Sequence, residues 1–250
     1  MKKIVLAVLL VFVMAMPAMA KTSISINTLT QDEFKTFSED LGMALSYQPL
    51  SPAAPLGDKL PGFDAGVEAS FVKLDKTSPY FQKIKDATAA AGADFPNSLV
   101  LPRVHVQVGL PIIPIDLGVS YTKVGDISLT GYEIKYAILK GGLAMPAVAL
   151  RGAYTKLSGL DELDMTTKSL DLSISKGILI FTPYAGVGKV WITSEAHSTP
   201  TIPITLEKED VSKTKFFVGA KVKVFPFVNL VVEGDFANVK EYTARLNINF

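Results

Sequence analysis

Residues 240–250 read KEYTARLNINF, in which Tyr242, Ala244, Leu246, Ile248 and Phe250 alternate with Glu241, Thr243, Arg245, Asn247 and Asn249. Successive side chains of an extended strand point to opposite faces, so this period of two describes a strand with an apolar environment on one side and a polar one on the other. The sequence stops on the last apolar position.

The same period recurs upstream. Phe63, Ala65, Val67, Ala69 and Phe71 alternate with Asp64, Gly66, Glu68 and Ser70. Val104, Val106 and Val108 alternate with Arg103, His105 and Gln107, and after a proline-rich turn Ile115, Leu117, Val119 and Tyr121 alternate with Asp116, Gly118, Ser120 and Thr122. Tyr132, Ile134, Tyr136 and Ile138 stand against Glu133 and Lys135; Val148, Leu150 and Tyr154 against Arg151 and Thr155; Leu170, Leu172 and Ile174 against Ser169, Asp171 and Ser173. Phe216, Val218, Ala220, Val222 and Val224 oppose Lys215, Lys221 and Lys223, while Val228, Leu230 and Val232 oppose Asn229, Glu233 and Asp235. Leu179 to Thr193 is also strand-like, but its glycines and Pro183 obscure the phase, and its faces stay unassigned. The pattern predicts an all-β fold: an antiparallel transmembrane β-barrel of about 10 strands, within a range of 8 to 12.

A soluble sandwich or lipocalin-like barrel alternates as well, with its apolar face inward. Three features favour a membrane. With the first strand running up from the periplasm, the connections at Pro111 to Pro114, Lys140 to Met145, Lys176 to Gly177 and Pro226 are short and the others mostly longer, as in barrels with short periplasmic turns and long outer loops. In that frame Phe71, Tyr121, Tyr132, Tyr154, Phe216 and Tyr242 fall at the outer ends of strands and Phe63, Phe225, Phe227 and Phe250 at the inner ends, which makes two aromatic belts. The polar face, finally, carries full charges of both signs, which suit a wet or ion-paired lumen better than a dry core.

The N-terminus supports export. Lys2 and Lys3 precede an apolar run from Ile4 to Met16, then Pro17 and Ala18-Met19-Ala20, the pattern of a cleaved secretory signal peptide, so residues 1–20 are expected to be removed. No later apolar run is long enough for a membrane helix. The absence of cysteine excludes disulfides, a lipid-modified cysteine, thiol nucleophiles and thiolate metal sites. A formal net charge of +1, with basic and acidic residues interspersed, gives no patch for a nucleic-acid backbone, and nucleic acid is excluded as a partner.

The stretch from Tyr242 to Phe250 resembles the closing strand of Gram-negative outer-membrane β-barrel proteins, which ends in an aromatic residue and carries apolar residues at alternate positions. In that family the signature is read by the outer-membrane barrel assembly machinery. The resemblance therefore implies that machinery as a partner and Tyr242, Leu246, Ile248 and Phe250 as the assembly signal. The segment from Leu41 through Val67, with Pro49, Gly62, Phe63 and Asp64, also resembles an uncharacterised family of predicted outer-membrane proteins.

Two segments lie outside the wall. Thr30 and Glu33 have capping-box spacing, and Phe34, Phe37, Leu41 and Leu45 then share one helical face. This short N-terminal helix is either a plug entering from the periplasmic side or a helix packed on the periplasmic rim. Pro49 to Pro61 reads as a linker. Between the first two strands Ser78 and Pro79 start a second, extracellular loop helix with Phe81, Ile84, Ala87 and Ala91 on one face and Gly92 as its stop.

Chemistry is sparse. His105 falls on the lumen face and His197 in an outer loop, with no zinc-type spacing between them, so neither a metal nor a cofactor is expected. Asp161, Glu162 and Asp164 share an outer loop and could approach His197, the one arrangement that would suit a hydrolase. The lumen-facing candidates are Glu68, Arg103, His105, Glu133, Lys135, Arg151, Asp171, Lys221, Glu233 and Arg245. They would either set the selectivity of a pore or fill a narrow barrel with ion pairs, and about ten strands favour the second, since open channels need roughly sixteen.

The chain thus divides into a signal peptide at 1–20, a helix and linker at 21–61 and a barrel at 62–250 in the outer membrane of a Gram-negative bacterium, in contact with its lipid. The expected function is non-enzymatic: a structural barrel or a narrow channel for small or hydrophobic solutes. An outer-membrane hydrolase with its site on the outer loops and a soluble periplasmic β-barrel binding an apolar ligand are the alternatives.

Overall fold

The computed structural model describes residues 26–57, 59–90, 98–198 and 205–250. The expected signal peptide lies outside these residues, as do Ala91 and Gly92. Ten strands follow one another in the order β1 (Gly62–Lys73), β2 (Ser98–Gly109), β3 (Ile115–Val124), β4 (Ile127–Lys140), β5 (Ala147–Ser158), β6 (Leu163–Ser175), β7 (Phe181–Ala196), β8 (Glu209–Phe225), β9 (Val228–Phe236) and β10 (Lys240–Asn249). Helix α1 spans Gln31–Leu45 and helix α2 Pro79–Ala90.

Each strand pairs antiparallel with its sequence neighbours, and β1 also pairs with β10, so the sheet closes. Closure satisfies every strand edge, which an open sheet in lipid could not do. The last bonds are made by the last residue: the Phe63 N–H donates to the Phe250 carbonyl at 2.8 Å and the Phe250 N–H to the Phe63 carbonyl at 3.0 Å. Their rings lie 5.6 Å apart.

Several strands begin earlier than their alternation suggests. β4 starts at Ile127 and β6 at Leu163, because Leu129, Leu157, Leu163 and Met165 continue the inward face as apolar residues while Ser128, Thr130, Lys156, Asp164 and Thr166 stand outward, which inverts the polar-apolar contrast. The connections at the end opposite Gly62 and Phe250 are correspondingly shorter than expected. β3 turns into β4 through Gly125 and Asp126 alone, with Gly125 at φ +61°, and the loop asymmetry rests on the β1–β2 and β7–β8 connections.

Helix α1 begins where the sequence indicated. Thr30 caps it, the Glu33 N–H donating to its hydroxyl and the Thr30 N–H to the Glu33 carboxylate at 2.8 Å. Its position differs from the expectation. The helix neither rests on the rim beside Gly62 and Phe250 nor enters from that side; it lies in the opposite mouth, against β6, β7, β8 and α2. Its buried Phe34, Phe37, Met43, Ala44 and Leu45 cluster there with Leu101, Leu129, Leu157, Met165, Val190 and Ile192 at the loop ends of the strands. Gly42 permits the close approach, since a Cβ at that position would stand 2.4 Å from Ile192 Cγ2.

Residues 46–57 are not a free linker. They descend from α1 through the lumen to the terminal end, where the chain turns into β1, and most of them are buried.

Candidate functional site

The wall is inside out relative to a soluble protein. Phe71, Tyr121, Tyr132, Phe216 and Tyr242 are exposed on the outer surface toward the loop end, Phe63, Phe225, Phe227 and Phe250 toward the terminal end, and Val106, Val119, Ile134, Leu172, Val218 and Val232 between them. Arg151, Arg245, Lys135 and Lys215 meanwhile are among the largest fully buried side chains. Water would reject this exterior and a dry soluble core would reject this interior, whereas a bilayer around an ion-paired lumen accommodates both. The molecule is a transmembrane β-barrel. No described helix is long and apolar enough to cross a membrane; the strands do so.

The interior charges are joined through the strap of residues 46–57. Near its upper end, Tyr47 places its hydroxyl 2.8 Å from His105 Nε2, and its carbonyl accepts from Lys215 at 3.0 Å. Gln48 donates to Glu241 at 2.6 Å. Leu50 donates its N–H to Glu233 at 3.0 Å while Arg245 donates to its carbonyl. The Ser51 hydroxyl accepts from Arg151 at 2.7 Å, and the Ala53 N–H donates to the Ser175 hydroxyl at 3.0 Å. The carbonyls of Pro52 and Ala54 both accept from Lys135 at 3.1 Å, and the Leu56 N–H donates to Asp116 at 3.1 Å. Strap and wall thus serve each other: polar backbone that no strand pairs meets the buried polar and charged side chains of the wall.

The wall charges also pair among themselves. Arg103 meets Glu68 at 3.1 Å, Arg151 meets Glu133 at 2.8 Å, and Lys135 meets Asp116 at 2.8 Å. Arg245 lies 3.8 Å from Glu68 and also contacts His105, whose other ring nitrogen is 3.6 Å from Glu133. Lys215 stands 3.9 Å from both Asp171 and Asp235.

Of the ten lumen-facing candidates, Glu68, Arg103, His105, Glu133, Lys135, Arg151, Asp171, Glu233 and Arg245 are buried within the barrel and linked in this network. Lys221 stands apart. It is half-buried in a vestibule of about 160 Å³ at the terminal end, beside Asp64 and Asn247, where the strap leaves space. Residues not singled out from the sequence prove equally central: Asp116, Lys215, Asp235 and Glu241 on the wall, and Tyr47, Gln48 and Leu50 on the strap. The wall residues follow from the alternation already noted. The strap residues carried no signal, because a segment rich in proline and serine reads as linker whether solvated or enclosed.

Leu50 is the most constrained of them. A leucine at φ +43° occupies the left-handed region that side chains disfavour, and its side chain packs on Tyr184, Phe217 and Val231. Strain of this kind persists only where the surroundings over-determine the conformation. At Leu50 they do so through both backbone bonds and the packing.

At the loop-end mouth the Tyr80 hydroxyl of α2 donates to Asp40 of α1 at 2.6 Å, and Asn238 donates to the other Asp40 oxygen. Burial pushes the Asp40 carboxyl above its ordinary range, against the lowering effect of those two donors. Glu33, half-buried at the start of α1, is held below its usual range by Lys83, 2.8 Å away, and by Thr30. Farther out, His197 meets Asp164 at 2.9 Å, its N–H bonded to the Glu162 carbonyl, with both side chains solvent-accessible. Among the described residues no cluster of three or more histidine or acidic side chains could hold a metal.

No family model and no curated protein matches the chain. Solved barrels resemble it at low identity. The N-terminal β-barrel domain of Pseudomonas aeruginosa OprF is 13% identical, with 75% of this chain and 97% of that one covered and a TM-score of 0.35. The outer membrane protein OprG of the same organism is 10% identical, with 78% and 99% covered and a TM-score of 0.33. The translocator domain of the autotransporter NalP from Neisseria meningitidis is 9% identical, with 88% and 95% covered and a TM-score of 0.33.

Proposed function

We propose that this protein is a non-enzymatic barrel of the Gram-negative outer membrane, exported with loss of residues 1–20, whose lumen is held closed by its own N-terminal segment. The loop end faces outward, so the chain enters the lumen from the outer mouth, where α1 and α2 form a lid, and leaves it at the periplasmic end to begin β1. Assembly is guided by the closing strand with Tyr242, Leu246, Ile248 and Phe250, read by the barrel assembly machinery. The observation that carries this reading is the strap, whose backbone groups and Ser51 hydroxyl bond to buried charged and polar side chains along the lumen. Free diffusion of solutes through this lumen would require those bonds to break.

Closure is tested by conductance. The chain has no cysteine, so Ala53→Cys with Ser175→Cys, at positions whose Ala53 N and Ser175 Oγ lie 3.0 Å apart, creates the only pair that can oxidise. In planar bilayers the wild-type protein is expected to show no steady conductance, and oxidation of the pair is expected to change nothing. A steady conductance that survives oxidation overturns the closed reading. Brief openings that oxidation abolishes would instead support a narrow channel gated by strap withdrawal, for which the vestibule beside Lys221 is the structural argument.

Hydrolysis on the outer loops is favoured by one observation, the bond between His197 and Asp164. Loss of an esterase or peptidase activity in His197→Ala and Asp164→Asn would support it; equal activity of all three proteins would remove it.

A further inference from the structure

The outer wall departs from its apolar character on β5–β7. Lys156, Lys168 and Lys189 all face outward and are exposed. Lys156 is registered with Thr166, two residues from Lys168, and Lys168 is registered with Trp191, two residues from Lys189. Each lysine is therefore the diagonal cross-strand neighbour of the next, about 7–8 Å apart and within reach of one shared anion. The diagonal also keeps them level. The aromatic belt itself steps toward the terminal end from strand to strand: Tyr121 is registered with Thr130 while the belt continues at Tyr132, and Trp191 with Ser212 while it continues at Phe216.

A lysine that faces lipid is costly at mid-membrane, roughly 2–4 kcal/mol, and nearly free only where its ammonium reaches a polar or anionic layer. None of the three has an ion-pair partner among the described residues. The outward acids nearby, Asp164, Glu195 and Asp210, lie closer to the loops, where Asp164 pairs with His197 and Asp210 with Lys208 and the Thr193 hydroxyl. Lys189 also lies 5.6 Å from the centre of the Trp191 ring. On the membrane side of the lysines the wall carries a shallow, open furrow lined on its outer face by Leu150, Leu170, Leu172, Val187 and Thr214, with Lys189 at its edge. Three adjacent cations above an apolar furrow complement one kind of molecule, an anionic head group with an acyl chain beneath it.

We propose that this face binds a phosphorylated acyl lipid of the outer leaflet, with a phosphate held by Lys156, Lys168 and Lys189 and an acyl chain lying along Leu170, Leu172 and Val187. The inference goes beyond the closed-barrel reading but shares its orientation, loop end outward. Orientation and folding are checked separately, by protease access to the loops in whole cells and by the heat-dependent shift of the folded barrel on a gel.

The probe is diphosphorylated lipid A added to the folded, detergent-solubilised full chain, with retained lipid counted by native mass spectrometry and zwitterionic phosphatidylethanolamine as the comparison. Wild type is expected to retain lipid A in preference to phosphatidylethanolamine. The variant Lys156→Gln/Lys168→Gln/Lys189→Gln should lose about tenfold or more in affinity for lipid A. Val187→Trp, which fills the furrow and leaves every charge in place, should weaken retention as well and stands as the test should the triple variant not fold. Equal retention of the two lipids by wild type, or undiminished lipid A binding by either folded variant, overturns the proposal.

Discussion

The two ends of the lumen are filled by the same stretch of chain in opposite ways. Toward the loops, α1 presents Phe34, Phe37, Met43 and Leu45 to Leu101, Leu129, Met165, Val190 and Ile192, an apolar contact in which shape decides the fit. Toward the termini, residues 47–56 present backbone carbonyls, N–H groups and the Ser51 hydroxyl to Arg151, Arg245, Lys135, Glu233 and Asp116, where each bond depends on a specific partner. Apolar contacts tolerate approximate partners and lose free energy in proportion to lost area, whereas a buried charge left alone carries its whole desolvation penalty. The lower strap should therefore fail abruptly when one partner is removed, and the upper plug by degrees.

The largest effect is expected from Arg245→Met, which leaves the Leu50 carbonyl without its donor, Glu68 with Arg103 alone and the lumen one positive charge short. About 3–5 kcal/mol of stability should be lost, read as a lower temperature for conversion of the folded to the unfolded gel band. A conversion temperature equal to wild type would mean that water reaches this region and that the two ends do not differ as described. The counterpart at the upper end is Gly42→Leu, which drives a side chain into Ile192 and should cost roughly 1–3 kcal/mol. Adding Ile192→Ala should recover part of that loss, a compensation available to an apolar contact and absent from the charged end. Tyr47→Phe sharpens the boundary between the regions: it deletes only the hydroxyl bonded to His105, and a loss of about 0.5–1.5 kcal/mol would place Tyr47 with the polar end.

The smallest expected effect concerns pH. Burial raises the Asp40 carboxyl above its ordinary 3.8, so folded protein binds this proton more readily than unfolded protein does. Its contribution therefore disfavours the docked helix above the folded pKa and is relieved as pH falls toward about 4. Amide exchange over residues 31–45, corrected for intrinsic rates, should show the Asp40 contribution as increasing protection on acidification, and Asp40→Asn should flatten that trend. A trend identical in wild type and variant would assign the pH response to other groups.

The lumen network was largely legible beforehand. Glu68, Arg103, His105, Glu133, Lys135, Arg151, Asp171, Glu233 and Arg245 stand opposite apolar neighbours in strict alternation, and period two in a closed sheet leaves such residues only one place to go. Lys221 lies on the same face but remains at the vestibule. β7 resisted this reading because Gly186 and Gly188 occupy inward positions without side chains; a Cβ on Gly188 would stand 1.8 Å from Asp171 Oδ1, so the position is glycine for reasons of space. Leu129, Leu157, Met165 and Ile192 misled in another way. Near the loops their inner face turns apolar where it meets α1, while the outer face carries Ser128, Thr130, Lys156, Asp164 and Thr193, so the alternation reverses its sense.

By itself the sequence indicated a barrel of about ten strands, the outward and inward faces of nine of them, the capped helix at Thr30 and the aromatic last residue. All of these follow from chain geometry over a few residues, where side-chain direction is set by the pleat of a strand or the turn of a helix. Only the tertiary structure decided that α1 lies in the loop-end mouth, that residues 46–57 thread the lumen, and which charge meets which. Those outcomes depend on closure of β1 onto β10, which brings residues nearly two hundred positions apart, such as Leu50 and Arg245, into one enclosed space. Local periodicity carries no record of a partner so distant in the chain.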